Sequence, residues 1–112
     1  MENKMRKIAK EEVDIFLVNL SKSFDVATQD SMSTVVETPI GAYHWAISYP
    51  RHKEKMKEIV INTQSANNVI AALNWAKNIG DIEEMGDIVA SSNSYKSKAL
   101  WGQHFGSPPQ KL

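Results

Sequence analysis

The stretch that decides the fold is residues 41–62, GAYHWAISYPRHKEKMKEIVIN, in which two apolar segments flank a basic one. In the first segment aromatic and β-branched side chains alternate with small or polar ones, which is typical of a strand. One face then carries Tyr43, Trp45, Ile47 and Tyr49, and the other carries His44, Ala46 and Ser48. Pro50 ends this strand, and residues 56–62, MKEIVIN, alternate again. We therefore expect two antiparallel strands with the basic segment 51–57 in the connecting loop.

A third strand is expected immediately before this pair. Residues 34–38, TVVET, are rich in β-branched side chains. Pro39 and Gly41 follow, and both residue types are common in turns. Because short connections favour neighbouring strands, the three segments predict an antiparallel three-stranded meander.

The segments before the sheet predict one helix and a connecting loop. Apolar residues at helical spacing predict a helix over about residues 5–23. Its inward face would carry Val13, Phe16, Leu17, Leu20 and Phe24. A strand through IFLV, residues 15–18, is the alternative, but no turn signal separates it from the charged residues before it. The Ser-rich and Asp-rich residues after the helix are expected to be a loop.

Two helices are expected after the sheet. An apolar stripe predicts the first over residues 66–79, with Thr63 or Ser65 as its cap and Gly80 at its end. The second is expected over residues 81–90, because Asp81 followed by Glu84 resembles a capping box. The two could form a helix-turn-helix, but the second helix exposes acidic side chains that phosphates would repel. These are Glu83, Glu84 and Asp87.

The last part of the chain is rich in Ser, Gly and Pro, so residues 93–112 are expected to form a flexible arm on a single domain of residues 1–92. The arm nevertheless contains aromatic side chains of the kind that dominate binding interfaces. Either it folds back on its own domain or a second copy, or it anchors a partner. The predicted fold class is therefore α+β: an N-terminal helix, a three-stranded antiparallel meander, two C-terminal helices and the arm.

Composition excludes several classes of function. The 112 residues suit one domain, and Lys+Arg and Asp+Glu number 13 each, so no overall charge attracts a polyanion. The sequence has no cysteine, which removes disulfides and thiolate chemistry and fits a reducing compartment. No apolar run reaches the roughly 20 residues of a membrane span. The start of the chain lacks the features of a signal peptide, so we expect a cytoplasmic protein without membrane contact.

The basic segment 51–57 is open to two interpretations. Its positive charges could contact phosphates while neighbouring aromatic rings stack on bases, which would suit a single-stranded nucleic acid. Alternatively, the lysines only solvate a loop or protect a sheet edge. A protein surface is a further use for the same charges.

No catalytic or metal-binding motif is present. His44 or His52 could act as a base, but neither has an evident carboxylate or nucleophile beside it. We therefore expect no enzyme, no cofactor and no metal, but a small interaction protein that modulates a protein partner sterically, with a homodimer left open. The nucleic-acid regulator is the alternative. The expected contact residues are Arg51, His52, Lys53, Lys55, Lys57, Tyr95, Trp101, His104 and Phe105.

Overall fold

The computed structural model describes residues 9–111, and every regular element within them is helical. The α-helices are α1 (Lys10–Ser21), α2 (Val26–Ser33), α3 (Pro39–Ser48), α4 (Lys53–Asn62), α5 (Ala66–Asn78), α6 (Ile82–Ser91) and α7 (Tyr95–Phe105). A 3₁₀ turn, Pro50–His52, joins α3 to α4. The predicted α+β fold with its three-stranded meander is therefore wrong. None of the helices within residues 9–111 has both the length and the apolar content to cross a membrane.

The predicted second strand is helix α3. Thr38 caps this helix, since its hydroxyl accepts a hydrogen bond from the Gly41 backbone N–H at 3.1 Å. Pro39 occupies the first turn, where a missing N–H costs nothing, so the Pro that suggested a turn starts a helix instead. The buried side chains recur at i, i+3, i+4 and i+7, which is one helical face. They are Ala42, Trp45, Ala46 and Tyr49.

The other two predicted strands also fail. Residues 56–62 belong to α4, where Met56 and Val60 are buried one helical turn apart. Lys and Glu are good helix formers, so residues 53–57 of the basic segment start this helix, while Arg51 and His52 lie in the 3₁₀ turn before it and no hairpin loop forms. Residues 34–38 connect α2 to α3 without regular structure. The loop expected before them contains α2, which Asp25 caps by accepting a hydrogen bond from the Thr28 N–H at 2.9 Å.

Helix α3 lies at the centre of the molecule, in contact with α1, α4 and α5, while α5 also contacts α6 and α7. Large side chains fill the space between these helices, and small ones let the backbones approach closely. The largest fully buried apolar side chains are Trp45, Met56, Val60, Trp75, Met85 and Val89. The alanines of the core are Ala42, Ala46, Ala71, Ala72 and Ala76.

Helix α1 presents the opposite face from the one expected. Val13, Phe16 and Leu20 are exposed, with Phe16 at 62%. Asp14 is buried instead, and its carboxylate accepts hydrogen bonds from Thr38 N–H at 2.9 Å and Thr38 Oγ1 at 2.7 Å. The helix is therefore oriented by a buried capping carboxylate, which the apolar pattern could not indicate. Residues 5–8 of the predicted helix lie outside the described residues.

The two later predicted helices are confirmed as α5 and α6, with a different junction from the one expected. Gly80 has φ of 132°, which agrees with its predicted role at the end of the first helix. Asp81 is also left-handed, at φ 53°, and makes no capping hydrogen bond, so the predicted capping box is absent. Its carboxylate accepts from the Trp75 indole N–H at 2.9 Å instead.

Residues 95–105 form helix α7, so the prediction of a flexible arm is wrong for this segment, while the alternative that the arm folds back on its own domain agrees with the structure. Ser94 caps the helix by accepting a hydrogen bond from the Ser97 N–H at 3.1 Å, and Gly106 ends it at φ 81°. Trp101 is buried and Phe105 packs against the core. The helix therefore docks on α5 and α6 of its own chain.

Candidate functional site

The basic segment 51–57 is largely satisfied within its own chain. The Arg51 guanidinium donates to Asp30 at 3.0 and 3.3 Å and to Gln29 at 3.1 Å. The Lys55 ammonium donates to the Ser33 hydroxyl at 3.0 Å. Arg51 and Lys55 therefore both hydrogen-bond to α2, and Arg51 also forms an ion pair there.

His52 is clamped between a buried indole and a carboxylate. Trp45 Nε1 donates to His52 Nδ1 at 2.8 Å, so the ring proton sits on Nε2, which donates to Asp30 Oδ1, also at 2.8 Å. Hydrogen bonds from Arg51 and then His52 hold the pKa of the Asp30 carboxyl below its ordinary value of 3.8. Both imidazole nitrogens are engaged, so neither is free to take a proton from a substrate.

Lys57 ties α4 to α6. Its side chain is only 13% exposed, and its ammonium lies 3.2 Å from Glu54, 3.3 Å from Glu84 and 3.5 Å from Asp81. Burial would lower the pKa of Lys57, but hydrogen bonds to Glu54 and Glu84 outweigh it and the pKa is raised. Burial likewise opposes ionisation of Asp81, yet the Trp75 hydrogen bond and the Lys57 charge lower its pKa. Lys57 is thus neutralised internally.

The aromatic side chains near the basic segment point inward. Trp45 is fully buried, and Tyr49 is buried with its hydroxyl 2.6 Å from that of Ser21. Tyr43 is half-buried and accepts a hydrogen bond from the Asn78 amide at 2.8 Å. These rings are not presented for base stacking, which a single-stranded nucleic-acid site needs.

The predicted contact residues of the C-terminal segment divide into an inner and an outer pair. Trp101 and Phe105 pack together with ring centres 4.4 Å apart and lie against the core. Tyr95 is 85% exposed, with the Lys98 ammonium 5.8 Å from its ring centre, and His104 is exposed as well. The outer pair stays available as a predicted contact surface, while the inner pair holds α7 in place.

A groove of about 670 Å³ lies between α5 and α7, and we refer to it as the α5–α7 groove. Its lining consists of Val69, Ile70, Leu73, Asn74, Lys77, Ser92, Asn93, Ser94, Lys96, Ser97 and Leu100. Ile70 is 46% exposed and Leu100 is exposed as well, so apolar surface faces solvent from both walls. A concave apolar surface of this size that water can reach is the usual form of a binding site.

The charged side chains of the groove are both basic. Lys77 comes from α5 and Lys96 from the first turn of α7, and both are exposed. Within residues 9–111 no ion pair joins either lysine to another residue. They therefore differ from Arg51 and Lys57, whose charges have internal partners.

Metal binding and base chemistry both depend on where the histidines and carboxylates lie. Among residues 9–111 no group of three or more His, Cys, Asp or Glu side chains is arranged to hold a metal ion. His44 is half-buried, and burial lowers its pKa, which reduces its capacity to act as a base near neutral pH.

The sequence did contain a signal for α7, the helix that forms one wall of the groove. Ser94 is a good helix cap, Lys96 and Leu100 are one turn apart, Trp101 and Phe105 are one turn apart, and Gly106 follows. The density of Ser, Gly and Pro in residues 91–109 obscured this pattern. How this helix docks on α5, and therefore where the groove lies, is set by tertiary packing.

No protein-family model, curated protein or solved structure matches this chain.

Proposed function

We propose that this chain is a non-enzymatic interaction protein that binds a helical segment of a protein partner in the α5–α7 groove. It would modulate the partner sterically, by withholding that segment from its other contacts. The observation that carries this proposal is the exposed apolar surface of Ile70 and Leu100 facing one groove from two helices. Exposed apolar surface of this kind gains free energy when a partner covers it.

The shape of the groove suits a helix. The lining residues of α5 run from Val69 to Lys77, which spans about 12 Å at the rise of an α-helix. That length accommodates about two turns of a partner helix, whose apolar side chains at i, i+4 and i+7 would face the groove. A helix lying between α5 and α7 would bury one apolar face and leave its polar face in water.

The nucleic-acid alternative for residues 51–57 is not carried forward. Arg51, His52 and Lys57 all interact with carboxylates of the same chain, and phosphate binding would have to break these contacts.

A cytoplasmic location belongs to the present proposal as well. It is supported by a sequence without cysteine, which suits a reducing compartment.

The proposal is tested by selecting binders from a displayed library of helical peptides on the full-length protein. We expect the recovered peptides to repeat apolar residues at i, i+4 and i+7. Their binding should be lost in the variant Ile70→Glu, which puts a carboxylate into the groove. The matched control is Ile47→Glu, at an α3 residue that is 45% exposed and lies outside the groove.

Circular dichroism establishes that both variants keep their helical content before binding is compared. Peptides that bind Ile70→Glu as well as the unaltered protein would place the interaction elsewhere and overturn the proposal. The proposal would also be overturned if no recovered peptide depended on the groove for its binding.

A further inference from the structure

We propose that the partner helix is acidic, with Asp or Glu on both sides of its apolar stripe to pair with Lys77 and Lys96. This inference rests on the proposed function and names the chemistry of the partner that fits the α5–α7 groove. The two lysines are the charged residues of the lining, one on each wall, and no carboxylate accompanies them there.

The two lysines contribute positive charge to the groove without a carboxylate in the lining beside them. Some basic side chains of the described chain do meet carboxylates, as Lys10 does with Glu37 at 3.2 Å and Arg51 with Asp30 at 3.0 Å. In residues 9–111 Lys77 and Lys96 form no such pair. An unbalanced positive charge beside an apolar surface favours a partner that supplies both apolar contact and negative charge.

The start of α7 adds to the positive potential of the groove. Ser94 and Ser97 both line it, so the first turn of α7 forms part of its wall. The N-terminal end of a helix carries a partial positive charge, and the first turn of α7 holds no acidic residue that would offset it. The other polar side chains of the lining are neutral amides and hydroxyls, so they add no net charge and the charge of the groove stays positive.

The placement of the lysines constrains the partner sequence. Lys77 and Lys96 lie on opposite walls, so their long side chains would reach both sides of a bound helix. A helix with apolar residues at i, i+4 and i+7 and acidic residues on both flanks satisfies this geometry. A helix with an acidic residue on only one flank would leave one lysine unpaired.

Three synthetic helical peptides with the same apolar positions test the inference, carrying Glu, Gln or Lys at the flanking positions. We expect the Glu peptide to bind the full-length protein at least about tenfold more tightly than the Gln peptide in calorimetry. The advantage should shrink as salt is added, because exposed charge pairs are screened. The protein has zero formal net charge, so its overall field gives no acidic peptide a general advantage.

Charge reversal at the groove provides the decisive comparison. The double variant K77E/K96E should prefer the Lys peptide, whereas K22E/K111E, which reverses two exposed lysines outside the groove, should keep the preference for Glu. Amide chemical shifts from NMR should change mainly over residues 69–77 and 92–100.

The possible failures separate the two proposals. If all three peptides bind equally and perturb the groove amides, the acidic partner is excluded while the interaction function stands. If none binds, the function proposed for the groove falls and the acidic partner falls with it. If the Glu peptide binds but perturbs residues 51–57 instead, the groove is not its site and this inference is overturned.

Discussion

Asp14 of α1 and Gly41 of α3 approach so closely that no side chain fits between them. A Cβ on Gly41 would lie 2.8 Å from Cγ of Asp14 and closer still to its Cβ. The Asp14 carboxylate extends past this point to accept the Thr38 N–H and hydroxyl at the start of α3. The packing of α1 on α3 and the capping of α3 therefore both depend on a glycine at residue 41.

The variant Gly41→Ala should lower the free energy of unfolding by about 3 kcal/mol, because the added methyl group forces Asp14 out of its capping position. Gly102→Ala in α7 is the matched control, since nothing lies within 4 Å of its added methyl group. That control should gain about 0.5–1 kcal/mol from helix propensity. Urea unfolding followed by circular dichroism measures both, and equal midpoints would refute the predicted contact.

The variant Asp81→Asn should change how stability depends on pH. The folded pKa of Asp81 is below its ordinary value of 3.8, so its carboxylate stabilises the fold above that value. This contribution is lost as the pH falls through the folded pKa. The variant should therefore be less stable than the unaltered protein at neutral pH, and the difference should narrow in acid.

Unfolding titrations at several pH values between neutrality and acid measure this narrowing. In a Lys57→Met background, Asp81→Asn should have a smaller effect, because the partner charge is gone. A stability difference between the unaltered protein and the Asp81→Asn variant that stays constant with pH would contradict the prediction.

The variant His52→Ala should cost about 1–3 kcal/mol, since it leaves the buried Trp45 indole N–H without its acceptor. In a Trp45→Phe background the same change should cost less, because no N–H remains to be satisfied. Arg51→Ala should cost less than His52→Ala, as its ion pair with Asp30 is exposed. A double-mutant cycle measures the contribution of this hydrogen bond. It compares the free energies of unfolding, from chemical denaturation, of the unaltered protein, the two single variants at residues 45 and 52, and the double variant. Additive effects would show that the hydrogen bond contributes nothing.

Trp101→Ala should lower the stability of the protein more than Phe16→Ala does. The apolar pattern of α1 alone predicts the opposite for Phe16, because it places that side chain in the core. Trp101→Ala should destabilise the protein by about 3–5 kcal/mol, because it removes a buried indole that packs between α7 and α6. Phe16→Ala should change stability by less than about 0.5 kcal/mol, since Phe16 is largely exposed. Thermal unfolding of both variants checks the order, and a larger loss for Phe16→Ala would show that α1 faces the other way.

The sequence was sufficient for α5 and α6, where a long apolar stripe and a glycine stop agree with each other. It misled at α3 and α4, because aromatic and β-branched residues alternate there while also matching a helical period. The alanines at 42 and 46 decide between the two, since they complete a helical face with Trp45. In a strand Ala42 and Ala46 would lie on the other face from Trp45. The strand-like alternation of residues 43–49 therefore led to a strand being predicted where the chain forms a helix.

The candidate groove could not be derived from the chain because it depends on how α7 docks. Lys77 and Lys96 are separated by 18 intervening residues, and only tertiary packing brings them to one groove. The basic segment 51–57 was conspicuous in sequence, but its Arg51 forms an ion pair with Asp30 of α2. Charge clustering along the chain thus did not identify the two lysines that line the groove.

The three tryptophans give this protein an optical readout of its own. Trp45, Trp75 and Trp101 lie in α3, α5 and α7, and each is buried. Their emission should be blue-shifted in the folded state and move to the red on unfolding. Trp45 donates to an imidazole and Trp75 to a carboxylate, so each indole reports on a different local contact. Variants that retain a single tryptophan would follow the unfolding of α3, α5 and α7 separately, without any attached dye.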